Sequence, residues 1–119
     1  EALTNMLGLL KTMDSGTAIE KLRQLMEIYP SNADITAQLG LMYGVAGDYT
    51  KALKYLEMAD SLKPGNPNIL YNRAVVYDRM GMSIQAADLY HQLVLLAGDG
   101  SLDQNFPIEA VRKRLAVIR

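Results

Sequence analysis

The chain has 119 residues, half of them apolar and 21% charged, which is enough for one folded domain with a real core and too apolar for a disordered tail. Lys and Arg total 12 against 13 Asp and Glu, a formal charge of -1, so the usual electrostatic ground for a nucleic-acid or acidic-membrane partner is missing. With no Cys and one His, disulfide scaffolds, thiolate zinc sites and cysteine nucleophiles are excluded, and a histidine relay has no second member.

Apolar residues at helical spacing predict seven helices, over about 2–13, 16–29, 33–46, 49–62, 67–80, 83–97 and 107–118. The first carries Leu3, Met6, Leu7, Leu9, Leu10 and Met13, more apolar surface than one core-facing stripe requires, and such a surplus marks an interface. The second holds Ala18 and Leu22 and closes at Pro30, since proline cannot continue the backbone ladder. Asn32 starts the third, whose stripe is Ile35, Leu39, Met42, Tyr43 and Ala46, and Gly47 follows where a left-handed cap favours glycine. The fourth carries Ala52, Leu56 and Ala59 and closes at Pro64. Asn66-Pro67 opens the fifth, which ends at Gly81, and the sixth carries Ala86 and Tyr90. Gly40 and Ala74 are small where two helices must approach closely, as are Ala52, Ala59 and Ala86 opposite them. Asn105-Phe106-Pro107 initiates the last helix, with Ile108, Val111, Leu115 and Ile118 on one face and Arg112, Lys113, Arg114 and Arg119 as its cations. No stretch approaches the roughly 18 apolar residues of a membrane span. The chain opens at Glu1 with neither an initiator Met nor a signal peptide, the pattern of a trimmed or processed form.

An offset of 34 residues superimposes Asn32/Asn66, Ile35/Ile69, Tyr43/Tyr77, Gly47/Gly81, Ala52/Ala86 and Leu62/Leu96, and a further step back places Ala18, Leu22 and Pro30 under Ala52, Leu56 and Pro64. An aromatic, a turn glycine and a small residue at fixed separations are the residue set of the tetratricopeptide repeat, and the chain resembles that family from about Glu1 to Gly98. The middle copy is clearest, with Leu39-Gly40, Tyr43, Gly47-Asp48-Tyr49, Ala52, Leu56, Ala59 and Pro64, and departs at Thr36, where the pattern has an aromatic. The third copy keeps Ala74, Tyr77, Gly81, Ala86 and Tyr90 and departs at Arg73, Leu93 and Gly98; the first is degenerate in its first helix. The resemblance implies an all-α fold, a right-handed α-solenoid of antiparallel helix pairs within one domain spanning 1–119. Its repeats cover about 1–30, 31–64 and 65–98, and the helix at about 107–118 caps the apolar end.

No catalytic constellation emerges. His91 sits mid-helix with only Asp88 a turn away and reads as a solvated residue. The stretch Asp99–Asn105 alternates oxygens like the opening of a calcium loop, but Gln104 stands where glycine is needed and Ala110 where a bidentate Glu is needed, so it reads as a polar connector. Neither a phosphate-binding Gly-rich loop nor a Gly-x-Ser-x-Gly elbow is present. The scattered carboxylates, Asp14 and Asp48 among them, read as helix ends or solvated faces, and the seven Met read as core filler. The chain is therefore expected to be no enzyme and to hold no metal or cofactor.

Function then falls to the surface the repeats build. By the resemblance, the first helix of each repeat lines a concave groove that takes a peptide or partner helix. Its lining here is Leu3, Leu7, Leu10 and Lys11 from the first copy, Asp34, Ala37, Leu41, Gly44 and Val45 from the second, and Asn68, Tyr71, Val75, Asp78 and Arg79 from the third. Family members that grip the carboxylate of chaperone tails place Lys, Asn and Arg where this chain has Leu3, Leu7, Gln38, Asn68 and Asn72. A carboxylate needs cations and donors, so that clamp is absent. The expectation is a non-catalytic scaffold whose apolar groove takes an amphipathic helix or an extended apolar segment, similar to proteins of bacterial pilus-assembly, secretion or envelope complexes. A homo-oligomerisation module working through Leu3, Leu7 and Leu10, or an accessory domain of a larger protein, are the alternatives. The compartment stays open between bacterial cytoplasm and periplasm.

Overall fold

In the computed structural model, residues 14–118 are described, and every regular element among them is helical. The elements are α1 (Ser15–Ile28), α2 (Ala33–Val45), α3 (Tyr49–Leu62), α4 (Pro67–Arg79), α5 (Ser83–Gly98) and α6 (Ile108–Ile118). Their ends fall within one or two residues of the ranges read from periodicity. The helix expected over about 2–13 lies outside the described residues. Helices adjacent in the chain pack in pairs, α1 on α2, α2 on α3, α4 on α5 and α5 on α6. The chain divides after Pro64 into two compact units, Glu1–Pro64 and Gly65–Arg119.

Local chemistry sets the helix ends. Asp14, Asn32, Asp48 and Asn66 are N-caps whose side-chain oxygens accept from the backbone N–H two or three residues on, at 2.9–3.2 Å, which satisfies donors a helix start leaves free. Pro67 follows its cap at the first helical position, where its missing N–H costs nothing. The two scattered carboxylates at 14 and 48 are thus helix ends. α5 starts at Met82 without a side-chain cap.

The C-termini of α2 and α4 are built identically. Gly47 (φ 89°) and Gly81 (φ 78°) take the left-handed conformation. Each donates to the carbonyl three residues back, and the next residue reaches the carbonyl five back, Asp48 to Tyr43 and Met82 to Tyr77, at 2.9 Å; this double closure satisfies the last carbonyls of the helix. Gly100 (φ 73°) does the same for α5, with Ser101 donating to Leu96. The repeat register does not supply that third closure, because Gly100 stands one residue past the position 34 after Gly65.

In the first unit the core is Ala18 and Leu22 of α1, Ile35, Leu39, Met42 and Tyr43 of α2, and Ala52, Leu56 and Ala59 of α3. The expected α2 stripe is buried except for Ala46, which caps the helix and is exposed. Thr36, standing where the repeat pattern has an aromatic, is also fully buried, its hydroxyl donating to the Asn32 carbonyl at 2.9 Å. Gly40 marks the closest approach. A Cβ there would lie 2.8 Å from Leu56 Cγ and 3.0 Å from the Ala52 carbonyl oxygen, so hydrogen is the only substituent that α3 permits. One turn on, Tyr43 and Tyr55 stack with ring centroids 5.5 Å apart, and Lys51 and Lys54 each lay an ammonium over one of the rings.

In the second unit one cluster joins Leu70 and Ala74 of α4, Ala86, Leu89, Tyr90 and Leu93 of α5, and Val111 of α6. Ile108, Leu115 and Ile118 pack beside Val111, so the stripe of the last helix faces the core as its spacing requires. The methionines depart from expectation. Of those described, Met42 is the one buried, while Met58 and Met80 stand exposed.

Candidate functional site

The candidate surface lies on the first helix of each pair. Leu3, Leu7, Leu10 and Lys11, the contribution expected from the first copy and from the self-association reading, lie outside the described residues.

On α2 the five predicted residues differ in access. Ala37 and Gly44 are buried, Leu41 is half-buried, and Asp34 and Val45 are exposed. The predicted face of α2 therefore presents Leu41, flanked by Asp34 and Val45, while its two small residues are buried. Asp34 pairs with Lys63 across 3.9 Å, both side chains more than half exposed, which leaves the carboxylate open to exchange this weak contact for another cation.

On α4, Asn68 and Arg79 are exposed, while Tyr71 and Val75 are half-buried. Asn68 borders an open recess of about 440 Å³ with Pro67, Ser101, Asp103, Asn105, Phe106 and Pro107. Its polar loop residues serve one another: Asp103 accepts from the Asn105 backbone at 2.7 Å and from the Phe106 backbone through its carbonyl at 2.9 Å. The stretch that opens like a calcium loop is thus a turn that aims Phe106 back at α4, and Phe106 meets Tyr71 edge-on at 5.7 Å between centroids.

Asp78 is the most heavily engaged residue of the predicted face. Arg114 of α6 grips it with two parallel bonds, Nε to Oδ2 and Nη2 to Oδ1, each 2.6 Å, and the Tyr90 hydroxyl of α5 donates to Oδ2 at 3.1 Å. Planar fork against planar carboxylate is the strongest geometry two side chains offer. Hydrogen bonds from Arg114 hold the Asp78 carboxyl below the usual range despite burial, which pushes the other way. Burial, and after it the charge of Asp78, drives the Tyr90 phenol well above its ordinary value. Asp78 stays ionised and Tyr90 stays a donor.

Sequence reasoning placed Asp78 on the face but missed Tyr90 and Arg114 as its partners. Arg114 lies 36 residues away, beyond any periodic argument. The available signal was a paired departure from the repeat: Asp78 stands in register with Gly44, and Tyr90 with Leu56. The remaining cations of α6 divide, Arg112 pairing with Glu109 at 2.8 Å and Lys113 standing exposed. His91 is exposed. Among the described residues no three His, Cys, Asp or Glu gather as a metal site, and no helix is long and apolar enough to cross a membrane. No protein-family model matches the chain, and no curated protein matches it either.

Proposed function

We propose that this chain is a tetratricopeptide-type scaffold, without catalysis of its own, that holds a peptide or partner helix against the first helices of its repeats. The observation that carries the reading is the 34-residue register of whole structural devices. The N-caps Asn32 and Asn66, the starts of α2 and α4, the left-handed Gly47 and Gly81 and the starts of α3 and α5 each recur at that one interval. A repeat of this kind cannot bury its apolar faces alone, and stacking its copies generates a long binding surface. In this reading the pairs stack into a right-handed strip, Leu41 and Val75 sit in its groove, and an assembly or secretion complex is the setting.

Leu41→Asp and Val75→Asp test it. Both side chains are half-buried, so each charge can reach water while spoiling an apolar contact with a ligand. Helical content and melting should stay near native, and protein captured by the immobilised native chain should be lost with either variant but kept with Ile84→Asp, a substitution at a residue 84% exposed on α5. Unfolding of Leu41→Asp, or capture that survives both groove substitutions, overturns the assignment.

A further inference from the structure

In the second unit α6 packs chiefly on α5, and Val111, 1% exposed, is set into the core cluster there. Two side-chain contacts also reach α4, Phe106 on Tyr71 just before the helix starts and Arg114 on Asp78 within it. An 11-residue helix does not persist in water alone, so α6 owes its order to this seat. The seat in turn imposes a requirement. The Asp78 side chain is only 12% exposed, against 48% for Arg114, and a carboxylate that far out of water demands a cation beside it. Any helix filling the seat must supply one. α6 is also no continuation of the repeat: it starts 41 residues after α4, whereas α4 starts 34 after α2. Its Arg114, and Phe106 just before it, meet Asp78 and Tyr71, two residues of the face assigned to the ligand.

We propose that α6 is the resident occupant of a helix-docking seat made by α5 and the Asp78 end of α4, and that the seat's partner is an amphipathic helix that displaces α6 by presenting its own arginine to Asp78 beside an apolar stripe. The inference rests on the reading of α4 as a binding face and adds the partner's chemistry and the element that excludes it. The side of the fork facing water belongs to Arg114, so opening begins there: the arginine swings out, α6 loses its tie to α4, and Asp78, still holding the Tyr90 hydroxyl, selects the incoming helix that would cover it again.

The probe is a fluorescent peptide of residues 102–119, titrated against the full chain by anisotropy, with amide exchange followed in parallel. The native chain should bind it weakly, because its own tethered α6 competes. Arg114→Met in the chain keeps Asp78 and weakens the resident helix. Exchange in α6 should quicken while α4 and α5 stay protected, and the peptide should bind about tenfold tighter, the scale of one charge-assisted fork. Adding Asp78→Asn should abolish that gain, and a peptide bearing Arg114→Met should show none on the single variant. Arg114→Lys, a cation without the fork, should fall between, and preserves the ordering if Arg114→Met does not fold. Unchanged α6 exchange in Arg114→Met overturns the proposal, as does faster exchange without tighter binding. A native mass that doubles with concentration, together with α6 exchange that slows as it does, overturns it in favour of helix exchange between two copies. Failure of the Leu41→Asp test would bear on α2 and leave this titration untouched.

Discussion

The α2–α3 and α4–α5 pairs share one plan and join in two different ways. Caps, turns and the buried alanines Ala52 and Ala86 repeat in register. The pairs part at three linked positions: Gly40 against Ala74, Leu56 against Tyr90, and Gly44 against Asp78. In the first pair, glycine lets α3 come down until Leu56 rests on the α2 backbone, beside the stacked rings of Tyr43 and Tyr55. In the second, Ala74 fills the joint with its own methyl, and Tyr90 carries a hydroxyl across to Asp78. One frame thus yields a sealed joint or a polar clasp, and the clasp gives the α6 arginine something to hold.

The largest effect expected from disturbing that contrast is at Gly40. Gly40→Ala drives a methyl into Leu56 and the Ala52 carbonyl, and backbone cannot step aside as a side-chain tip can. It should destabilise by about 1–3 kcal/mol, with Gly40→Leu worse, whereas Ala74→Gly should cost about 1 kcal/mol through lost helix propensity and packing. Denaturant midpoints compare the two directly, and equal costs would show that the joints are not different. A smaller, matched effect is expected at the turns. Gly47→Ala and Gly81→Ala each place a side chain at φ near +80° with open space around it, so both should cost about 1 kcal/mol of backbone strain and agree within a few tenths. A clear inequality in melting would break the structural equivalence of the pairs.

The smallest effect is pH-dependent and confined to the second unit. A carboxylate with a depressed pKa stabilises above its unfolded value near 4 and loses that contribution as pH falls through the folded value. Arg114 depresses Asp78 in this way, so amide exchange in α6 should quicken below about pH 4. Tyr90, raised chiefly by burial, stabilises below its unfolded value near 10 and loses that contribution as pH climbs. Asp78→Asn should remove the acid step from α6, while the α2–α3 joint, with Gly44 in that place, should show no matching step. Persistence of the step in Asp78→Asn would assign it to another carboxyl.

Local features were legible because they depend on neighbours in sequence. Asn32, Asn66, Gly47 and Gly81 act within five residues of themselves, so spacing was enough to place them. Gly40 was legible too, because a small residue on an otherwise apolar stripe signals a close approach, although only the structure names Leu56 and Ala52 as what it approaches. Exposure was harder to read. Met58 and Met80 were expected inside and stand outside, since an apolar side chain at helical spacing does not say whether another helix arrives to cover it. Ala37 and Gly44, expected in the groove, are buried, while Leu41 beside them keeps part of its surface.

The sequence by itself determined that this protein is all-helical among its described residues, where each helix begins and ends, and that a 34-residue register runs through them. Those outcomes follow from side chains capping their own backbone and from apolar periodicity, both short-range. Which side chains meet across 12 to 36 residues, Tyr90 and Arg114 upon Asp78, was decided only when the helices packed. A charge partly withdrawn from water takes whichever cation the fold delivers, and no spacing rule along the chain encodes that delivery.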